Sequence, residues 1–202
     1  MEKERLQQLQ KELSALAKEL GADVVGFCDL QNQTAKLAPH LNHAVSVIVK
    51  LSSAVLATIE DGPSFVYFQH YRTANTLLDQ IAFRLAREME KMGYLAMPVA
   101  ASQSLGKENP YRGVVPHKTV AVLSGLGFVG KSGLFLSKDY GSKVRLATIL
   151  TNAPLQSELP VIENGCGDCE LCKKPAPPAQ FTARNPPQTA KEILMRKNVR
   201  NI

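Results

Sequence analysis

Leu6, Leu9, Leu13, Leu16 and Leu20 recur at alternating steps of three and four, which places them on one face of a helix, and Gly21 follows as a stop. Residues 23–28 then read as a short strand and residues 44–51 (AVSVIVKL) as a more buried one. The segment between them, with Pro39, His40 and His43, reads as loop. Leu78, Ile81, Leu85, Met89 and Met92 predict a second long helix closed by Gly93, and residues 94–99 resume an extended pattern. A loop rich in Ser, Gly, Asn and Pro covers residues 101–110. Pro116 suits a first helical turn ahead of residues 118–123. Residues 133–137 and 144–151 predict two strands joined by a turn at 138–141, a hairpin that would bring Arg145 near a preceding cluster of glycines.

This order of elements predicts an α/β (α+β) fold with a mixed sheet. An α/β cofactor-binding domain is expected over residues 1–153. Residues 154–202 would hold a linker, a cysteine segment and a basic tail with a short helix at 189–197. There is no internal repeat.

Composition supports one main globular domain: 202 residues, 45% hydrophobic and 21% charged. A chain of this length buries enough surface to fold without a metal or disulfide, so a metal site would invite a functional reading. No apolar run reaches the roughly 20 residues that cross a bilayer, and the amino terminus lacks signal-peptide character, so a cytoplasmic location is expected. The net charge of +6 is uneven. Residues 1–100 hold 10 basic and 11 acidic side chains, and residues 101–202 hold 14 and 7. From Lys173 onward seven basic residues face one acidic residue, Glu192, which reads as a solvated tail or as a surface for an anionic partner.

Three of the four cysteines lie in Cys166-Gly-Asp-Cys169-Glu-Leu-Cys172. Thiolates at this spacing can wrap one soft centre, and the run matches the first three ligands of the bacterial C-x2-C-x2-C-x3-C-P iron-sulfur pattern. Ala176 stands where the fourth cysteine would be, followed by the expected Pro177, and no second run follows. One site with three cysteines is therefore expected. Its fourth position would be open or water-bound, filled by a partner chain, or completed by Asp168 or a histidine. A three-cysteine zinc site or an empty, degenerate one are the competing readings. Cys28 reads as a small buried hydrophobe.

Gly125-Leu-Gly127-Phe-Val-Gly130-Lys131-Ser132 satisfies both the dinucleotide letters G-x-G-x-x-G and the phosphate-loop letters G-x4-G-K-S. Both motifs need a strand before and a helix after, whereas here a helix precedes and a strand follows. Glycines that allow close approach of a bulky planar cofactor fit the context better. His117 could be a proton donor, an axial ligand or a helix-start residue. His40, His43 and His70 show no metal-binding spacing.

The amino-terminal LQQLQKELSALAKELGADVVGF, GLGFVGKSGLFLSKDYGSKVRLATILTNAPL and CGDCELC together resemble the epoxyqueuosine reductase family over most of residues 1–177. The resemblance implies a corrinoid-binding domain related to the reductive dehalogenases, with a short ferredoxin-like cysteine segment. It implies an oxidoreductase in which an iron-sulfur cluster, 4Fe-4S in preference to 3Fe-4S, feeds electrons to cobalamin. The metal ligands would be Cys166, Cys169 and Cys172, and the cofactor cleft would include Gly125, Gly127, Gly130, Lys131, His117 and Arg145. An electron-donor protein or small-molecule substrate is the expected partner, with a homo-oligomer and RNA left open.

Family members carry Asp-Tyr-His where this chain has Thr73-Ala74-Asn75, and a catalytic aspartate where Tyr111 or a neighbour stands. A shortened relative with another substrate or an electron-transfer role follows. The rival is a non-catalytic binding module, zinc-stabilised or metal-free, with a basic tail for a partner or RNA.

Overall fold

A computed structural model of the chain describes residues 2–30, 38–60, 62–103, 113–156 and 165–172. Its elements are α1 (Glu2–Glu19), β1 (Val24–Asp29), β2 (His43–Lys50), α2 (Ser53–Leu56), α3 (Phe65–Lys91), β3 (Ala96–Val99), α4 (His117–Leu123), β4 (Gly127–Val129), β5 (Phe135–Ser137) and β6 (Val144–Thr151).

Both helix stops read from the glycines have a common geometry. Gly21 (φ 106°) and Gly93 (φ 89°) adopt the left-handed conformation that side chains disfavour. Around them the Gly21 N–H donates to Lys18 O and the Ala22 N–H to Ala17 O, then the Gly93 N–H to Glu90 O and the Tyr94 N–H to Met89 O. These paired bonds satisfy the last carbonyls of α1 and α3. The second helix begins well before Leu78: Ser64 accepts the Tyr67 N–H at its N-terminus, and the helix runs for 27 residues. Met92, expected on its buried face, is the C-terminal cap and is exposed.

The α/β (α+β) class holds, with a four-stranded sheet in the order β1-β2-β6-β3. Every pairing in it is antiparallel, where a mixed sheet was expected. Since β2 and β3 both run opposite to β6, they are parallel to each other, and α2 and α3 join them as a β-α-β unit split by β6.

The hairpin expected between residues 133–137 and 144–151 is not formed. β5 pairs instead with β4 in a separate two-stranded ribbon, while β6 lies between β2 and β3. Burial explains the difference: Leu146 to Thr151 are all buried, which calls for a central strand covered on both faces.

Alternation along the strands divides the core. Val45, Val47, Val49, Ala147 and Ile149 pack with Leu9, Leu13 and Ala17 of α1 and Leu78, Ile81 and Leu85 of α3. Ala44, Ile48, Leu146 and Leu150 face the other way, toward α4 and the β4–β5 ribbon. The packed body continues past the boundary expected near residue 153. Ala153 and Leu155 are fully buried, and the Gln156 N–H donates to Gln10 Oε1. No helix among the described residues is long and apolar enough to cross a membrane. The basic tail, Tyr111, Ala176, Pro177 and the helix expected at 189–197 lie outside the described residues.

Candidate functional site

Two groups of chemistry-bearing residues stand on opposite faces of the sheet. The first is on the α3 face. Tyr71, Asn75 and Asp79 recur every four residues along α3, so they form a polar stripe on that helix. Arg145 meets it from β6. Its Nε donates to Asn75 Oδ1 at 2.9 Å and its Nη2 to Tyr71 Oη at 3.0 Å and Ser102 Oγ at 3.2 Å. The guanidinium carbon also lies 4.2 Å from the Tyr71 ring centroid, within cation–π range. Asp79 Oδ1 accepts the Ala101 N–H at 2.8 Å, and Asn75 Nδ2 donates to Ser102 Oγ at 2.9 Å.

Arg145 is therefore not beside the glycines. Residues 145, 147 and 149 share one face of β6, while 146, 148 and 150 point toward α4 and the glycine turn. Partial burial alone would raise the Tyr71 phenol pKa. Hydrogen bonding with Ser102 and Asn75 and the Arg145 charge outweigh it, so Tyr71 ionises below its ordinary 10.

His117 opens α4 on the opposite face, and both its ring nitrogens are engaged. Nε2 lies 3.1 Å from Ala100 O, an acceptor, and Nδ1 lies 2.8 Å from Thr148 Oγ1. Ala100 O can only accept, so Nε2 carries a proton, and in the neutral ring Nδ1 accepts from the Thr148 hydroxyl. Burial lowers its pKa from 6.5, and the Ala100 bond only partly offsets that. Below pH 6.5 the unfolded chain thus binds more protons at this residue than the folded one. The His117 contribution to stability is present above that pH and lost as pH falls. In urea unfolding at pH 7.5 and 5.0, H117Q is expected to lose less stability on acidification than the wild type. Equal losses would place the acid sensitivity elsewhere.

The second group joins the glycine cluster to the cysteines. The ribbon of β4 and β5 turns at residues 130–133, and the cysteine loop lies against this turn. A Cβ built at Gly130 would sit 2.6 Å from Leu136 Cδ1 and 3.3 Å from Cys166 Sγ. Lys131 Nζ donates to Cys169 O at 3.0 Å, and the Cys169 N–H closes a turn onto Cys166 O at 2.9 Å. Cys166 is half-buried, and Cys169 and Cys172 are exposed. The motif context read from the sequence holds: α4 precedes, β4 occupies 127–129, and β5 follows the turn.

Two cofactors can be tested against these residues. Three thiols within seven residues are of the chemistry that a soft metal centre takes. Among the described residues, no three His, Cys, Asp or Glu side chains are gathered closely enough to hold a metal ion. For a corrinoid, the space that Gly127 and Gly130 leave is filled by Leu136, Phe135 and Cys166, and His117 has no free ring nitrogen. These residues do not fit a planar cofactor.

Cys28 is buried, its Sγ lies 3.8 Å from Val120 O, and burial pushes its thiol up to about 12. It is the small hydrophobe expected. His43 Nδ1 lies 2.8 Å from Leu155 O, and His70 Nε2 accepts the Ser52 N–H, so both serve the fold. Tyr71, Asp79 and Ser102 were missed in the sequence. The polar i, i+4, i+8 recurrence beside the apolar stripe of α3 was the available signal.

No protein-family model matches the chain. It is 45% identical over 60 residues to an epoxyqueuosine reductase of Lactococcus garvieae, covering 30% of this chain and 17% of the relative. It is 27% identical over 154 residues to a tetrachloroethene reductive dehalogenase of Dehalobacter restrictus, covering 76% of this chain and 26% of the relative. Among solved structures, an epoxyqueuosine reductase with a tRNA stem loop superposes with a TM-score of 0.59 at 20% identity, over 81% of this chain and 50% of that one. A catabolic reductive dehalogenase in complex with 3-bromo-4-hydroxybenzoic acid superposes with a TM-score of 0.62 at 19% identity, over 74% and 22%. The chain thus spans half or less of the length of each of these proteins. The chain thus resembles epoxyqueuosine reductases over 60 residues of sequence and shares its fold with them and with a reductive dehalogenase.

Proposed function

We propose that the chain is an oxidoreductase of the epoxyqueuosine reductase-like group, with a metal centre at Cys166, Cys169 and Cys172 and a proton-donating site at Tyr71 and Arg145. The observation that carries this reading is the Tyr71–Arg145 pair. A phenol with a lowered pKa, a guanidinium over its ring and on its oxygen, and Ser102 in reach form a group suited to releasing a proton.

Reduction of an organic substrate consumes protons as well as electrons. An iron-sulfur cluster held by the three thiolates would supply electrons singly. Tyr71 Oη would release the proton, and Arg145 would hold the phenolate left behind. Asn75 fixes Arg145 through Nε, and Asp79 fixes the backbone at Ala101, so the pair is held from two elements.

Anaerobic purification followed by iron, sulfide, zinc and cobalt analysis and a visible spectrum tests the proposal. About four iron and four sulfide per chain, with a broad band that bleaches on reduction, are expected. Zinc alone, or no metal, would overturn the redox reading in favour of a binding module. Cobalamin retained with a spectral shift would place a corrinoid on a face other than the glycine turn.

A further inference from the structure

We infer that residues 127–131 are the seat of the cysteine loop, and that Lys131 is the positioning residue pinning that loop to the β4–β5 turn. Glycines stand on both sides of the contact. A Cβ at Gly165 would lie 2.0 Å from Phe128 Cε1, and one at Gly130 would press on Leu136 and on Cys166 Sγ. At each point a glycine of one segment receives a side chain of the other, Gly165 the Phe128 ring and Gly130 the Cys166 thiol.

Lys131 spans the same junction. It donates to Cys169 O at 3.0 Å and lies 3.8 Å from the Glu170 carboxylate, with its side chain only 22% exposed. A long stem with several donors at its tip can lie along the ribbon and still hold two acceptors on the loop. From the other side Lys118 of α4 donates to Gly133 O at 2.7 Å, bracing the turn. Of the letters G-x4-G-K-S, Gly130 and Lys131 serve this contact, one by close approach and the other by holding a carbonyl.

A loop held in place presents its three thiols already ordered, which would tighten the binding of a metal. This metal-binding half rests on the metal centre proposed above, whereas the docking half does not.

Two measurements on the full chain separate them. Millisecond hydrogen exchange of the metal-free protein reads the loop alone. K131M is expected to speed exchange at residues 165–172 about tenfold, an opening of the loop short of global unfolding, and K131R to restore most of the protection. Unchanged exchange in K131M overturns the inference whatever metal is bound. Titration with Co(II), followed by its thiolate charge-transfer band, reads the metal. About tenfold weaker binding by K131M is expected, the scale at which supporting residues act. Equal affinity in K131M, or no Co(II) uptake by the wild type, overturns the metal-binding half.

Discussion

Substituting Cys166, Cys169 and Cys172 together by serine is expected to abolish iron and sulfide binding while leaving the fold intact. Serine offers a hard, protonated hydroxyl where a soft metal needs a thiolate. The three positions are half-buried or exposed, and none belongs to a core cluster. Surface changes of this kind stay within about 0.5 kcal/mol, a shift of roughly 1–2 °C in Tm for a chain of this size. Metal analysis and a thermal melt of the metal-free protein check both halves. Metal retained by the triple variant would place the ligands elsewhere. A chain that no longer folds would show that the loop is structural, as in a zinc-stabilised module. C28S is the contrasting control, because it leaves metal binding untouched and changes a side chain only 1% exposed inside the core.

The largest expected loss of stability comes from Gly127→Ala. The added Cβ would lie 2.0 Å from the Leu136 carbonyl oxygen and 2.8 Å from Phe135 Cζ. The ring can turn aside, but the backbone oxygen cannot move without breaking the register in which Phe128 faces Leu136. Forced overpacking of this kind costs about 3 kcal/mol or more, a fall of roughly 6–12 °C in Tm. Gly133→Ala separates crowding from backbone conformation. Nothing lies within 4 Å of its Cβ, and its φ of +77° alone makes alanine unfavourable, by about 1–2 kcal/mol. Equal melting temperatures for the two variants would refute the close approach at Gly127. Because the β4–β5 ribbon seats the cysteine loop, Gly127→Ala should also lose metal more readily than Gly133→Ala.

Where a signal is local, the residues alone were enough. The leucines of α1, the apolar stripe of α3 and the two stop glycines follow from helical spacing and from the tolerance of glycine for positive φ. The alternating apolar pattern of residues 44–51 and the C-x2-C-x2-C spacing are of the same kind. Chemistry that depends on neighbours distant in the chain was not legible. Tyr71, Asn75 and Ser102 have no common motif. Arg145 looked like a companion of the glycines only because residues 133–151 resemble a hairpin.

The sequence by itself determined α1, the second half of α3, α4, the strands other than β4, the buried Cys28 and the spacing of three cysteines. These depend on residues within a few positions of one another, whose preferences act in the unfolded chain as well. Tertiary structure alone decided that β6 enters the sheet between β2 and β3 rather than folding back on β5. Burial on both faces of a strand is satisfied only by layers brought from both ends of the chain. Once β6 is central, the two-residue alternation of its side chains sends Arg145 to Tyr71 and Thr148 to His117, and leaves the glycine turn to the cysteines.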